Sequence, residues 1–400
     1  MKLVQLTKLY WPDNGGGIAR VVESIAAGFS EWEQRIITCQ KAPGIKKSED
    51  EFGGVPVTRC RQYADVSSTP LSTEYLKETG KHTKDADVVI CHHPYPMNDL
   101  AILFGATKGK KLIYWWHCDI EQYGWLAKVY APLVRHSLKK ADAIIASSEG
   151  NIVNSKLVAP FKDKCHVIPF AVSDEYFEEG AKYCEMKWGE NPDSEPNISG
   201  EWNGNNSSEE MVSDRVMKED NVHILFLGRM VWYKGCEYLL RAFSEMDNKN
   251  CTLTLVGGGP LEEELRSLSF ELGIENRVEF TGMVSEEEKM ERIKACDFMV
   301  LPSISKAEAF ALVQIECMAF GKPIINTNLP SGVPYVSLDG RTGITVEPEN
   351  VEQLRDAMDK LVSDRELREV YGKAARKMVE ECYVNEAFVR KHRELVDKLI

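Results

Sequence analysis

The sequence predicts an α/β protein of two Rossmann-like domains, each a parallel sheet with helices on both faces. Three observations lead there. Short, β-rich apolar runs alternate with stretches of helical periodicity. The runs are almost continuously apolar, as strands are when both faces of their sheet are covered. The pattern also occurs twice, before and after an acidic stretch with little to bury.

In the first half, strands are expected at Lys2–Thr7, Arg35–Cys39, Asp87–Cys91, Lys111–Trp116 and Ala143–Ser147, with helices at Ile18–Phe29, Met97–Ala106 and Leu126–Lys139. In the second half, strands are expected at His223–Leu227, Thr252–Val256, Val278–Thr281, Phe298–Leu301, Pro323–Asn326 and Gly343–Val346. Helices fill the gaps at Cys236–Met246, Pro260–Leu272, Glu286–Lys294, Phe310–Phe320 and Val351–Leu361. The resulting division is 1–177 for the first domain, 178–220 for an acidic, disordered insertion, 221–382 for the second domain, and 383–400 for a C-terminal helix able to pack back on the first domain. The insertion has twelve acidic residues against four basic ones, so it supplies −8 of the formal charge of −13.

Four hundred residues exceed one ordinary core and suit two. A hydrophobic content of 43% with 28% charged residues excludes a disordered or fibrous chain. The negative charge argues against nucleic acid as the main partner, which would require a cationic face. Eleven cysteines stand singly, mostly in apolar runs and with no C-x-x-C pair, as buried hydrophobes in a reducing compartment do. The start is polar within a few residues, and no run approaches the ~18 apolar residues of a membrane span. The expected compartment is therefore the cytoplasm. The helix at 126–140 carries Lys128, Arg135, His136, Lys139 and Lys140 and could rest peripherally on an anionic membrane; a solvated face of a packing helix is the plainer reading.

The chemistry gathers in the second half. The helix from Ala309 is apolar nearly all round, so an ionised Glu316 inside it needs hydrogen-bond donors, such as a ribose diol or an interior Arg or Lys. A helix starting near Ala309 leaves the amides of Phe310, Ala311 and Leu312 free as an anion site. Glu308 precedes it, about 12 Å from Glu316 at most at 1.5 Å per residue. Arg229 follows a strand directly and Lys234-Gly235 opens the next helix, at the strand ends where open α/β sheets bind ligands. Two fixed cations suit a leaving group that develops negative charge, without a metal or cofactor. Val256-Gly257-Gly258-Gly259 lacks the spacing of a dinucleotide fingerprint. In the first half, Asp13-Asn14-Gly15-Gly16-Gly17 offers backbone amides before a helix, and His117 and Asp119 follow a strand ending Tyr114-Trp115-Trp116.

Gly228-Arg229-Met-Val-Trp-Tyr-Lys234-Gly235, Leu-Val256-Gly-Gly-Gly-Pro260, Pro302-Ser303, and Glu308-x7-Glu316 with Met318-Ala-Phe-Gly321-Lys-Pro323 resemble family-4 retaining glycosyltransferases of the GT-B fold. The likeness covers most of 222–348 and is looser before it. The run from Gly321 to Pro334 is similar to the subgroup that builds surface polysaccharides and lipopolysaccharide. The resemblance implies two domains facing across a cleft and transfer of a hexosyl group from a nucleotide-sugar donor to a glycan or lipid-linked acceptor, with retention. It implies that Arg229 and Lys234 hold the diphosphate, Glu308 the donor sugar and Glu316 the ribose. The Met283-Val284 backbone would lie on the base, Gly16-Gly17 would line the cleft, and His117 would meet the sugar, with Asp119 on the acceptor side. One position departs from the pattern: the family's glycine is replaced by Ala311. A nucleotide-sugar epimerase, or a non-catalytic GT-B subunit binding a partner glycosyltransferase or glycan, remains open at this stage.

Overall fold

The computed structural model describes residues 1–13, 16–66, 69–120, 125–189 and 221–400. The first domain begins β1 (Lys2–Leu6), α1 (Gly17–Gly28), β2 (Glu33–Cys39), β3 (Ser48–Phe52), β4 (Val55–Cys60), a two-stranded ribbon of β5 (Ala64–Asp65) and β6 (Pro70–Leu71), and α2 (Thr73–His82). It continues β7 (Val88–His93), α3 (Pro96–Leu103), β8 (Lys111–Trp116), α4 (Trp125–Lys140), β9 (Ala143–Ala146), α5 (Glu149–Val153), β10 (Cys165–Val167) and α6 (Asp174–Trp188). Its sheet has the order β10-β9-β8-β7-β1-β2-β4-β3, parallel except for the edge strand β3.

The second domain follows as β11 (Val222–Leu227), α7 (Cys236–Glu245), β12 (Cys251–Val256), α8 (Glu262–Glu271), β13 (Val278–Gly282), α9 (Glu286–Ala295) and β14 (Phe298–Val300). Then come α10 (Leu312–Ala319), β15 (Ile324–Thr327), α11 (Val333–Val336), β16 (Gly343–Val346), α12 (Val351–Ser363), α13 (Arg365–Cys382) and α14 (Asn385–Leu399). The sheet order β13-β12-β11-β14-β15-β16 is wholly parallel. Each expected strand is present, and the central runs bury both faces: Ile224 to Leu227 and Phe298 to Leu301 are all at most 1% exposed. The β3–β4 hairpin, α2 and α13 were not foreseen. Their polar faces blur the apolar pattern; α13 buries only one stripe, including Tyr371, Ala375, Met378 and Val379.

Two segments refine the expected boundaries. Residues 178–188, assigned to a disordered insertion, are helical and packed. The Cys184 thiol lies against the Ala319 carbonyl, and the buried Arg376 guanidinium donates to the carbonyls of Phe177 (3.1 Å) and Ala319 (2.9 Å). Acidic composition hid an amphipathic helix whose inner face is only Tyr176, Gly180 and Cys184. Residues 190–220 of that expectation lie outside the described residues, as do Asn14 and Gly15. The helix α14 crosses to the first domain. Arg393 donates to the Gly28 carbonyl (2.7 Å) and forks onto both carboxylate oxygens of Glu31 (2.7 Å each), while Trp115 Nε1 donates to His392 Nε2 (3.0 Å). No helix among the described residues is long and apolar enough to cross a membrane.

Candidate active site

In the second sheet the chain steps one way from β11 to β12 and β13, and the other way from β14 outward, so β11 and β14 flank the switch point where such sheets open a ligand crevice. The loops after those two strands carry the expected cations and carboxylate. Lys234 and Glu308 are both over nine-tenths buried, with Nζ 2.5 Å from Oε2, and Ser303 Oγ donates to the same oxygen at 3.1 Å. Gly235 makes this approach possible. It is left-handed at φ +67, and a Cβ there would sit 2.1 Å from the Pro302 carbonyl oxygen. Arg229 stands exposed at the crevice with no ion pair among the described residues. The run Gly257–Gly259 serves loop packing: a Cβ at Gly257 would meet the Gly228 carbonyl oxygen at 2.2 Å. Met283 is exposed just past β13, with its side chain beside Gly258, and Val284 is half-buried behind it.

The anion cradle is displaced from where the sequence puts it. The helix begins at Leu312, after Ala311 in the left-handed region (φ 63, ψ 79), so the first-turn amides are those of Leu312 and Val313, while Phe310 and Ala311 form the turn before them. The Gln314 amide already bonds the Ala311 carbonyl (3.0 Å) and its side chain pins the Phe310 carbonyl (3.1 Å). A positive φ is where the missing glycine would be at ease, so Ala311 holds this turn under strain.

Glu316 is buried and already ion-paired. Arg20 of α1 donates to Oε1 at 3.1 Å, and Lys289 Nζ lies 3.2 Å from Oε2 without hydrogen-bond alignment. The interior-cation alternative is the one in place, and one of the two cations comes from the opposite domain. Neither Arg20 nor Lys289 was singled out from the sequence. Arg20 sits one turn past the glycines, on a helix start whose other residues are apolar, which was the available signal.

The first domain supplies the facing wall. A Cβ at Gly17 would lie 3.1 Å from Leu312 Cδ1, so the first turn of α1 meets that of α10; Gly16 caps α1, its carbonyl accepting from Ala19 (3.0 Å) and Arg20 (3.3 Å). His117 is buried in a stack of rings. Its centroid is 4.2 Å from Trp115 and 5.8 Å from Phe170, whose ring meets Phe310 of the second domain edge-on at 4.9 Å. Burial, reinforced by His92, His93 and His392 nearby, holds His117 well below the ordinary imidazole range, and burial takes His92 and His93 down to about 3. Asp119 is turned onto the Ile120 amide (2.7 Å) and contacts none of the other candidates among the described residues. The structure thus sets Gly17 and Arg20 against Leu312 and Glu316 and stacks His117 behind Phe170 and Phe310 where the domains meet, with the Lys234–Glu308 pair and Arg229 in the loops leading there.

Two Rossmann-like domains meeting at the carboxyl ends of their sheets, with lysine, arginine and a helix start on one wall, define an enzyme of GT-B architecture. Comparison with known proteins agrees. Residues 16–169 match the family described as "Glycosyl transferase 4-like domain" and residues 207–378 that of "Glycosyl transferases group 1". An O-antigen chain mannosyltransferase C of Escherichia coli is 27% identical over 100% of this chain and 99% of the relative. A D-rhamnosyltransferase of Pseudomonas aeruginosa is 28% identical over 94% and 90%. The Anabaena HepE structure in complex with UDP has a TM-score of 0.71 at 15% identity, covering 100% of both chains. The chain belongs to the family-4 glycosyltransferases.

Proposed function

We propose that this glycosyltransferase moves a hexosyl group of the mannose or glucose type from a nucleotide-diphosphate sugar to a hydroxyl of a lipid-linked surface glycan, with retention. The observation that carries the reading is the buried Lys234–Glu308 pair beside exposed Arg229 at the switch point, next to the α10 start and opposite His117. The diphosphate lies against Arg229, Lys234 and the amides of Leu312 and Val313, where its developing charge is stabilised. Its ribose takes the place of Arg20 on Glu316. Glu308 binds Lys234 and Ser303 and Asp119 accepts from the Ile120 amide, and this reading gives neither a nucleophilic role. A front-face displacement then follows: the bond from the anomeric carbon to the phosphate breaks, the bond to the acceptor oxygen forms on the same face, and the leaving phosphate takes the acceptor's proton.

Two features support a lipid-linked acceptor. An apolar groove of about 410 Å³ opens on the first domain between Lys8, Pro94, Ile120, Val129 and Tyr130, and α4, which lines it, ends in Lys139 and Lys140. One relative is named for the O-antigen chain and for mannose, the other for D-rhamnose. The direct test is thermal stabilisation by GDP-mannose, UDP-glucose and UDP-N-acetylglucosamine, followed by transfer assays with the stabilising donor. A ligand at 100 times its dissociation constant adds about 2.7 kcal/mol. No shift from any nucleotide sugar would overturn the reading, and acceptor-free release of an isomer would replace it with epimerisation.

A further inference from the structure

Four histidines are buried around the first-domain wall, and their partners fix where each proton sits. Gln5 Nε2 donates to the Val22 carbonyl (3.0 Å), which leaves Gln5 Oε1 to face His92 Nε2 at 3.1 Å. A carbonyl oxygen only accepts, so His92 carries its proton on Nε2 and its Nδ1 is bare. That bare nitrogen lies 2.9 Å from His117 Nε2, which must therefore donate. The remaining nitrogen of His117, Nδ1, is left as an unprotonated acceptor. It is buried and has no hydrogen-bond partner among the described residues.

The neighbouring histidines take the opposite form. Tyr114 gives its only proton to Asp99 Oδ1 (2.6 Å), so His93 Nδ1 must donate to the Tyr114 oxygen (2.9 Å). His392 donates from Nδ1 to the Phe388 carbonyl (2.8 Å) and accepts from Trp115 on Nε2. Sequence neighbours His92 and His93 thus point to opposite faces of β7 and hold opposite tautomers.

We infer that Gln5 and His92 act as positioning residues, locking His117 in the Nε2–H tautomer so that its bare Nδ1 receives a hydroxyl of the transferred sugar. The inference rests on the transferase reading for the identity of that hydroxyl; the tautomer relay stands apart from it. The chemistry selects the ligand group. A buried unmatched acceptor is unfavourable until a donor reaches it. A sugar hydroxyl can donate, whereas an ionised phosphate can only accept and is turned away. The same lone pair therefore keeps the diphosphate on the cationic wall and admits the sugar. The ring stack runs from His117 through Phe170 to Phe310, just before the α10 start.

The relay is read directly from long-range ¹H–¹⁵N correlations of the full-length, ¹⁵N-histidine-labelled protein at neutral pH without ligand. The expected result is Nε2 protonation at His92 and His117 and Nδ1 protonation at His93 and His392. A proton on His117 Nδ1 overturns the proposal. The functional arm compares kcat/KM for GDP-mannose with its 2-, 3-, 4- and 6-deoxy analogues. Wild type should disfavour one analogue at least tenfold. His92→Leu should erase that preference, and His92→Asn should restore most of it, because its side-chain oxygen takes the place of the imidazole Nδ1. Equal discrimination by wild type and His92→Leu also overturns the proposal. Expected tautomers with no transfer from any donor would uphold the relay and overturn the transferase reading.

Discussion

The two domains share a layout but hold their cleft residues in opposite ways. The second domain buries charge against charge: Lys234 on Glu308, and Lys289 on Glu316, joined there by Arg20 from the first domain. The first buries neutral rings, His92, His93 and His117, stacked among Trp115, Trp116 and Phe170. A cleft built this way has a wall suited to a diphosphate and a wall suited to a neutral sugar. The difference also implies different failure modes. Removing one member of a buried pair strands its partner as an uncompensated charge, whereas the neutral wall fails when its histidines are forced to ionise.

The largest expected effect is on the charged wall. Glu308→Ala and Lys234→Ala should each lower turnover by two decades or more, about 2.7 kcal/mol at 1.36 per decade, measured as kcat with a saturating donor. The double variant should lose less than the sum, since neither charge is then left alone. Strict additivity would show that the pair does not act as a unit.

The neutral wall answers to pH. The folded-state values of His92, His93 and His392 lie at about 3, 3 and 4, and that of His117 is also well below normal, all through burial. Below about pH 6.5 the unfolded chain binds protons that the folded protein refuses, so stability is full above that pH and falls as pH drops toward the folded values. Each such proton is worth about 1.4 kcal/mol per pH unit. Asp99, pushed up to about 6 by burial, works the other way over a narrower range and cannot cancel four histidines. Denaturant unfolding at pH 7 and pH 5 should therefore give a lower free energy at pH 5. A flat profile would mean that these rings ionise in place.

The smallest effect is local. Ala311→Gly relieves a left-handed alanine at the α10 start and should stabilise the protein by about 0.5–1 kcal/mol, read as a higher melting temperature. A loss of stability would mean that the methyl group contributes packing that outweighs the strain.

Much of this was legible in the residue order. Continuous apolar runs placed the strands, and the spacing of Arg229, Lys234, Glu308 and Glu316 placed the charged wall, because both depend on local pattern and on the rule that ligands bind at strand ends. The later start of α10 was not legible, since it hangs on one residue's φ. The helical character of 178–188 was masked by acidic side chains on its outer face. What only the tertiary structure decided were the partners: Arg20 reaching across to Glu316, Asp119 turning onto its own backbone, and Gln5 and His92 setting the proton on His117. A single chain's pattern fixes which groups are buried, but a hydrogen bond or ion pair between residues as far apart as 20 and 316 exists only once both domains are in place.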